Sequence, residues 1–257
     1  MQALNTTKID TFKKAENGRP AGSIVAEFDG LACLRQAVHA NPFLEVPECE
    51  LSDEGVLLLE NITQDPISRE HLVNFGLGMA QLHAHKHGRY GYGRDNFIGL
   101  SPQINTFTTN WGEFFAQYRL NAQIDAIEDE QMRDEFQTRL DDKRSELVAF
   151  LNANTAFASL LHGDLWSGNV LFKDKKAWLI DPAVYFGDRE ADIAMTELFG
   201  GFGRPFYDAY NEVLPLSDAY ALKKVFYNLY HYLNHFNLFG ESYRQRCYDS
   251  LSALDEL

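Results

Sequence analysis

Asp164 and Asn169 stand five residues apart in the stretch LLHGDLWSGNVLFKDKKAWLIDPAVYFGDREAD, and Asp181 follows twelve residues after Asn169. Moving a phosphoryl group needs a carboxylate to accept the proton of the attacking hydroxyl. It also needs oxygen ligands that hold magnesium against the phosphates. An Asp-x-x-x-x-Asn loop puts base and first ligand on one turn, and a short hairpin returns a second carboxylate to the same side. Taken singly, an Asp or Asn in a loop is a turn or capping residue, and Asp181-Pro182 is a common turn pair. With His162 in front, a strand pair between and Asp192 behind, the set reads as a phosphoryl-transfer constellation with Asp164 as its base. Gly163 and Gly168 are expected to let the loop turn sharply.

The elements that must position this loop divide into a strand-containing start and a helical remainder. Lys8 to Ala15, with Ile9 and Phe12 among polar residues, reads as a short edge-like strand. Val25, Phe28, Leu31, Leu34 and Val38 recur at threes and fours, as one apolar helix face does. Gly55 to Ile62 is a short apolar block with the character of a buried strand, and Gln64 to Ser68 supplies a turn and a helix cap. Leu72, Phe75, Met79 and Leu82 mark a helix that ends near His83, which reads as structural. Gly88 to Asn105 reads as loop. Helices then begin at Trp111, Phe114, Phe115 and Tyr118, and again at Met132, Phe136, Leu140 and Leu147. Val170 to Phe172 and Ala177 to Ile180 read as two strands joined by the charged turn Lys173 to Lys176, and helices resume at Glu190. The expectation is an α+β fold of two lobes, residues 1–62 and 63–257, joined near Glu60 to Asp65.

Bulk properties narrow the partners. The 257 residues are 45% hydrophobic and 23% charged, an ordinary globular balance. Lysine and arginine total 23 against 37 acids, a net charge of -14. Such a surface repels nucleic acid and anionic membranes, whereas a small nucleotide can be neutralised locally by magnesium. Three cysteines, Cys33, Cys49 and Cys247, suit a reducing compartment better than a disulfide framework. The opening MQALNTTKID has no apolar signal core, and no apolar run reaches membrane-spanning length. A cytoplasmic location is expected.

The motifs HGDLWSGN and DPAVYFGDRE resemble the fructosamine kinase (ketosamine 3-kinase) family, within the aminoglycoside phosphotransferase and protein-kinase-like superfamily. The segments WGEFFAQYRLNAQID, FGGFGRPFYDAY and YNLYHYLNHFNLFG are similar to that family too, so the likeness runs from about Phe12 to the C-terminus. It implies a protein-kinase-like two-lobe fold, with a small antiparallel-sheet lobe and a larger helical one. It also implies ATP and Mg2+ as cofactors and phosphorylation of the 3-hydroxyl of a ketosamine, a deglycation repair reaction. The acceptor would be a small fructosamine or ribulosamine, or a glycated lysine on a protein.

In that reading Asp164 is the base, while Asn169 and Asp181 hold magnesium. His162 and Asp192 brace the loop. Trp166 presents an aromatic face to the sugar or its amine substituent, with His235 and Asp188 as further substrate contacts. Lys14, from Phe-x-Lys, and Glu27, from Ala-Glu-x-x-Gly-Leu, form the pair that steadies the phosphates. Strand alternation sends Lys13 and Lys14 to opposite faces, so only one can serve, and Lys14 is selected. Glu60, Asn61 and Ile62 are the hinge whose backbone meets the adenine. The family carries two strands and a glycine-rich phosphate loop before this lysine. Here 13 residues precede Lys14, none of them glycine, and the nucleotide lobe is expected to be truncated. Two alternatives stay open: a kinase of the aminoglycoside or choline type, and a non-catalytic nucleotide- or sugar-binding paralogue.

Overall fold

The computed structural model describes residues 10–257. The first strand, β1, is Thr11–Lys14; Lys8 and Ile9 of the expected strand lie outside the described residues. Helix α1 is Ser23–Val38, followed by the short strands β2 (Leu44–Glu45), β3 (Cys49–Leu51) and β4 (Leu57–Glu60). β4 lies between β1 and β3, antiparallel to both, with Thr11 opposite Glu60 and Cys49 opposite Leu59.

The inner face of α1 differs from the expected stripe. Ile24, Glu27, Leu31, Leu34 and Val38 are buried, whereas Val25 is 40% exposed. Positions 24, 27, 31, 34 and 38 share one side of a helix of 3.6 residues per turn, and Val25 falls about 100° away from Ile24. Counting apolar residues alone misplaces the stripe, because Glu27 is drawn inward by Lys14, 2.7 Å away.

Ser68 opens α2 (Arg69–His83) with a capping box: its hydroxyl accepts the His71 amide, and the Ser68 amide donates to the His71 ring, each at 3.2 Å. β5 (Lys86–His87) follows. The stretch expected as plain loop then folds into a hairpin, β6 (Asn96–Ile98) against β7 (Ser101–Gln103). Strands of three residues are too short to show an alternating pattern.

The helical part comprises α3 (Trp111–Phe115), a π-helical turn at Ala116–Asn121, α4 (Ala122–Asp125) and α5 (Glu130–Ala153). Next come β8 (Ala158–Leu161), β9 (Val170–Lys173), β10 (Lys176–Leu179) and β11 (Tyr185–Gly187). The chain ends in α6 (Glu190–Leu198), α7 (Arg204–Val213), α8 (Tyr220–Phe239) and α9 (Arg244–Leu251).

The β9–β10 hairpin turns through Asp174 and Lys175, whose φ values of 50° and 65° are those of the two-residue turn favoured between twisted strands. β2 pairs in parallel with β10, and β8 lies between β11 and β5.

Two apolar cores result. One joins α1, β4, α2, the β9–β10 hairpin and α7 through Leu31, Leu57, Phe75, Phe172 and Phe206. The other fills the space among α3, α5, α8 and α9 with Trp111, Phe115, Phe136, Phe226 and Leu233. Burying each such side chain contributes on the order of 2 kcal/mol. The loop between β8 and β9, which carries Asp164 and Asn169, runs along the first core through Leu165.

Candidate active site

β8 ends at Leu161, and the chain then turns through His162, Gly163 and Asp164. Asp192, buried in the first turn of α6, holds this turn from behind. Its two carboxylate oxygens accept the amides of His162 and Gly163 at 2.7 and 2.9 Å. Burial pushes the Asp192 carboxyl up, but the hydrogen bond and charge of His83, the charge of His162 and the Gly163 amide together bring it below the ordinary value. His83 is fully buried, with Nε2 3.2 Å from Asp192 and Nδ1 2.9 Å from the Tyr210 hydroxyl. It is a bracing residue. The His162 ring donates to the Ile180 carbonyl at 2.9 Å and accepts the Asp164 amide at 3.3 Å, while burial pushes its pKa below the ordinary imidazole value.

Gly163 has φ of 82°, and a Cβ there would lie 2.0 Å from the Ala183 carbonyl oxygen, so no side chain fits. Gly168 serves a different purpose from the sharp turn expected of it. A Cβ at 168 would lie 2.3 Å from the Trp166 ring, so the absent side chain makes room for the indole.

Asn169 donates its side-chain amide to both the backbone carbonyl and the carboxylate of Asp164, each at 2.9 Å. That use of the nitrogen leaves the amide oxygen as the atom it can offer a cation. Burial raises the Asp164 pKa to about 7; the Asn169 hydrogen bond opposes this, and the charges of Asp181 and Asp192 add to it. A carboxylate poised near neutrality is suited to taking a proton from a hydroxyl.

Asp181 sits in the left-handed region, φ 53°, with its side chain 41% exposed toward the same cleft. From the opposite wall, Lys14 reaches both Asp181 and Glu27. Lys13 is exposed on the other face of β1, as alternation requires. Burial first, and Asp181 second, raise the Glu27 carboxyl, and Lys14 counters them. The donors at the floor are all oxygen: the carboxylate of Asp181 and the amide of Asn169. Oxygen donors of this kind fit a hard cation such as Mg2+, and one Asp181 oxygen is paired with Lys14.

The hairpin that was expected to be loop supports this floor. Gln103 and Asn96 donate to the carbonyls of Ala183 and Val184 at 3.1 and 2.9 Å, directly behind Asp181-Pro182. Asn105 ties Asn96 to the buried Arg119 guanidinium, which lies over the Tyr185 ring at 4.0 Å.

Asp164, Asn169, Asp181, Glu27 and Trp166 line one cleft of about 270 Å³, together with Arg19, Ser23, Leu100 and Phe239. Trp166 is half-buried, with its ring edge-on to Phe199 at 5.7 Å. His235 is one layer back, its ring among Phe199, Phe239 and Tyr243 and bonded to the His231 carbonyl; it does not line the cleft. Asp188, expected as a substrate contact, is corrected. It is buried and bound by Lys223, Tyr227 and Thr155 at 2.8, 2.6 and 3.0 Å, so its charge is satisfied inside the protein.

The hinge expectation is also corrected in part. The amides of Glu60 and Asn61 donate to Glu48 and Asp10 carbonyls at 2.7 and 2.9 Å, and are engaged within the sheet. Ile62 is buried. Arg19 and Ser23 escaped the sequence reading; no motif links them to a loop some 140 residues away.

Comparison with known proteins places this geometry. The family model described as fructosamine kinase matches residues 2–255. A Synechocystis protein bearing a ketoamine kinase name is 37% identical over 230 residues, covering 87% of this chain and 77% of its own length. The Arabidopsis thaliana protein-ribulosamine 3-kinase, chloroplastic, is 35% identical over 241 residues, covering 90% of this chain and 72% of its own. A Thermobifida fusca crystal structure bearing a fructosamine-3-kinase name superposes with a TM-score of 0.82 at 31% identity, over 96% of this chain and 86% of that one. A choline kinase from Streptococcus pneumoniae shares the fold at a TM-score of 0.62 and 14% identity, over 98% of this chain and 88% of that one. No helix among the described residues is long and apolar enough to cross a membrane. The chain belongs to the fructosamine kinase family and is a small-molecule kinase of α+β, kinase-like fold.

Proposed function

We propose that this chain transfers the terminal phosphoryl group of ATP to the 3-hydroxyl of a ketosamine, a fructosamine or ribulosamine. The observation that carries this reading is that Asp164, Asn169 and Asp181 line one cleft, with the Asn169 amide donating to the Asp164 carboxylate at 2.9 Å. In the proposed reaction Asp164 aligns the hydroxyl and takes its proton as the oxygen attacks phosphorus. Lys14, held by Glu27 and paired with Asp181 behind the cleft lining, would offer its ammonium to the charge that develops on the transferred group. Asn169 and Asp181 would hold Mg2+, which when bound neutralises phosphate charge. Trp166 offers an apolar ring to the sugar or to the substituent on its amine.

Residues 1–62 would serve the nucleotide and residues 63–257 the acceptor. Relatives named for ketoamine and ribulosamine kinases support the acceptor class, and the net charge of -14 argues against polyanionic partners. The acceptor is a small ketosamine or a glycated lysine on a protein. A 3-phosphate ester that decomposes would free the amine, a deglycation repair in a cytoplasmic setting.

The test is incubation of the full chain with ATP, Mg2+ and a panel of fructosamine, ribulosamine, choline and an aminoglycoside, read by ADP release and 31P NMR. Phosphorylation of ketosamines alone, lost in Asp164→Asn, is expected. Turnover of choline or the aminoglycoside in preference would reassign the acceptor, and no turnover of any would end the proposal.

A further inference from the structure

The cleft wall opposite Asp164 is formed by the loop after β1 and the first turn of α1, and the mechanism above leaves two of its groups unused. Arg19 lines the cleft and is the one lysine or arginine among the described residues doing so. Its guanidinium lies 3.5 Å from one oxygen of Glu27, whose other oxygen holds Lys14 at 2.7 Å, so two cations share one carboxylate.

Ser23, the first residue of α1, also lines the cleft. It is 6% exposed, and its hydroxyl has no hydrogen-bond partner among the described residues. A hidden hydroxyl without a partner is unfavourable until something completes it.

The end of α1 is prepared for negative charge. Its N-cap is Gly22, with no side-chain cap and no acid in the first turn. Glu16 takes the Gly22 amide at 2.6 Å and Pro20 the Ser23 amide at 3.1 Å, which orders the loop. The first helical bond runs from Ala26 to Gly22, so the amides of Ile24 and Val25 are the remaining donors of that turn. Across the cleft stand Asp164 and Asp181, in a chain of net charge -14. An anionic group entering between them needs a positive wall to rest on.

We propose that Arg19, the Ser23 hydroxyl and the first-turn amides of α1 form a phosphoryl-binding site that grips the phosphoryl group facing Asp164. This rests on the reading of the cleft as the transfer site. The group in question is the terminal phosphate of ATP. As the acceptor oxygen bonds to phosphorus, the bond to the ADP oxygen breaks and the hydroxyl proton passes to Asp164. Arg19 meanwhile holds two non-bridging oxygens with its planar fork. A phosphate already carried by the acceptor sugar has the same chemistry and is the other source.

The experiment compares the full chain with Arg19→Met, Arg19→Lys and Ser23→Ala. Dissociation constants of ATP and ADP are measured in excess Mg2+, together with KM for a ketosamine with and without a 6-phosphate. Arg19 is exposed and Ser23→Ala removes one atom, so the variants should fold, with melting temperature as control. The expected result is ATP affinity weakened about tenfold in Arg19→Met and about threefold in Ser23→Ala, with ADP unchanged and Arg19→Lys intermediate. Loss confined to the advantage of the phosphorylated acceptor would support the site and assign the phosphate to the sugar. Equal weakening of ATP and ADP would mean Arg19 only braces Glu27, and unchanged ratios would mean no site; either overturns the proposal. A parent chain that binds neither nucleotide removes the transfer reading and this site with it.

Discussion

On the floor of the cleft each turn of the catalytic loop has a buried partner, whereas across the cleft Lys14 comes from a four-residue edge strand and is placed by ion pairs. The floor is a chain of buried hydrogen bonds from Tyr210 through His83 and Asp192 to the amides of His162 and Gly163. The opposite wall depends on Lys14 and the buried Glu27, with Arg19, the most solvent-exposed of the three, beside them. The difference teaches where rigidity is needed. The base must be pre-positioned to about the accuracy of a hydrogen bond, while the phosphate side can be completed by its own ligand.

The strongest way to break this comparison is Asp164→Asn, which keeps the shape of the floor and removes its base. A fall in kcat of about 10³-fold is expected, with unchanged circular dichroism. A fall of less than tenfold would mean the floor acts only by positioning. Next, Asp192→Asn withdraws the charge that holds two loop amides and faces His83. It should lower stability by roughly 3 kcal/mol in urea unfolding, because a buried network loses its anion. Lys14→Met probes the other wall, with kcat/KM for ATP expected to drop about 10²-fold and the melting temperature to change little.

The pH profile sharpens the role of the floor. Asp164 accepts a proton only when ionised, so kcat/KM should fall as pH drops below about 7 and level off above it. Raising Mg2+ should move that limb to lower pH, since a nearby cation favours the carboxylate. A pH-independent rate between 5 and 8, a range of about 3 units around neutrality, would count against the base assignment. The smallest effect belongs to His235→Leu. Its ring sits behind the cleft wall, so acceptor KM should stay within about twofold, and a larger change would bring His235 into the site.

Much of the floor was legible because its signals are local. The β9–β10 hairpin announces itself by two apolar runs around a charged two-residue turn, and Ser68 by its place before an apolar stripe. The pairs that close the site are not local. Asp188 reads as a substrate contact within its motif, yet Lys223 and Tyr227, on a helix 35 and 39 residues further on, enclose it. Glu60 and Asn61 read as hinge backbone, yet the carbonyls of Glu48 and Asp10 take their amides. The Asn96 to Gln103 hairpin offered three-residue strands with no readable alternation, although its amides support Ala183 and Val184.

By itself the amino-acid order determined the spacing of Asp164, Asn169 and Asp181, the opposite facing of Lys13 and Lys14, and the β9–β10 hairpin with its charged turn. Turn chemistry and periodicity act over a few residues, and so can be read from them. Only the tertiary structure decided that Glu27 turns inward, that Arg19 and Ser23 face the catalytic loop, and that His83 and Asp192 meet behind it. Those choices depend on packing and charge pairing between segments that are neighbours in space and distant in the chain.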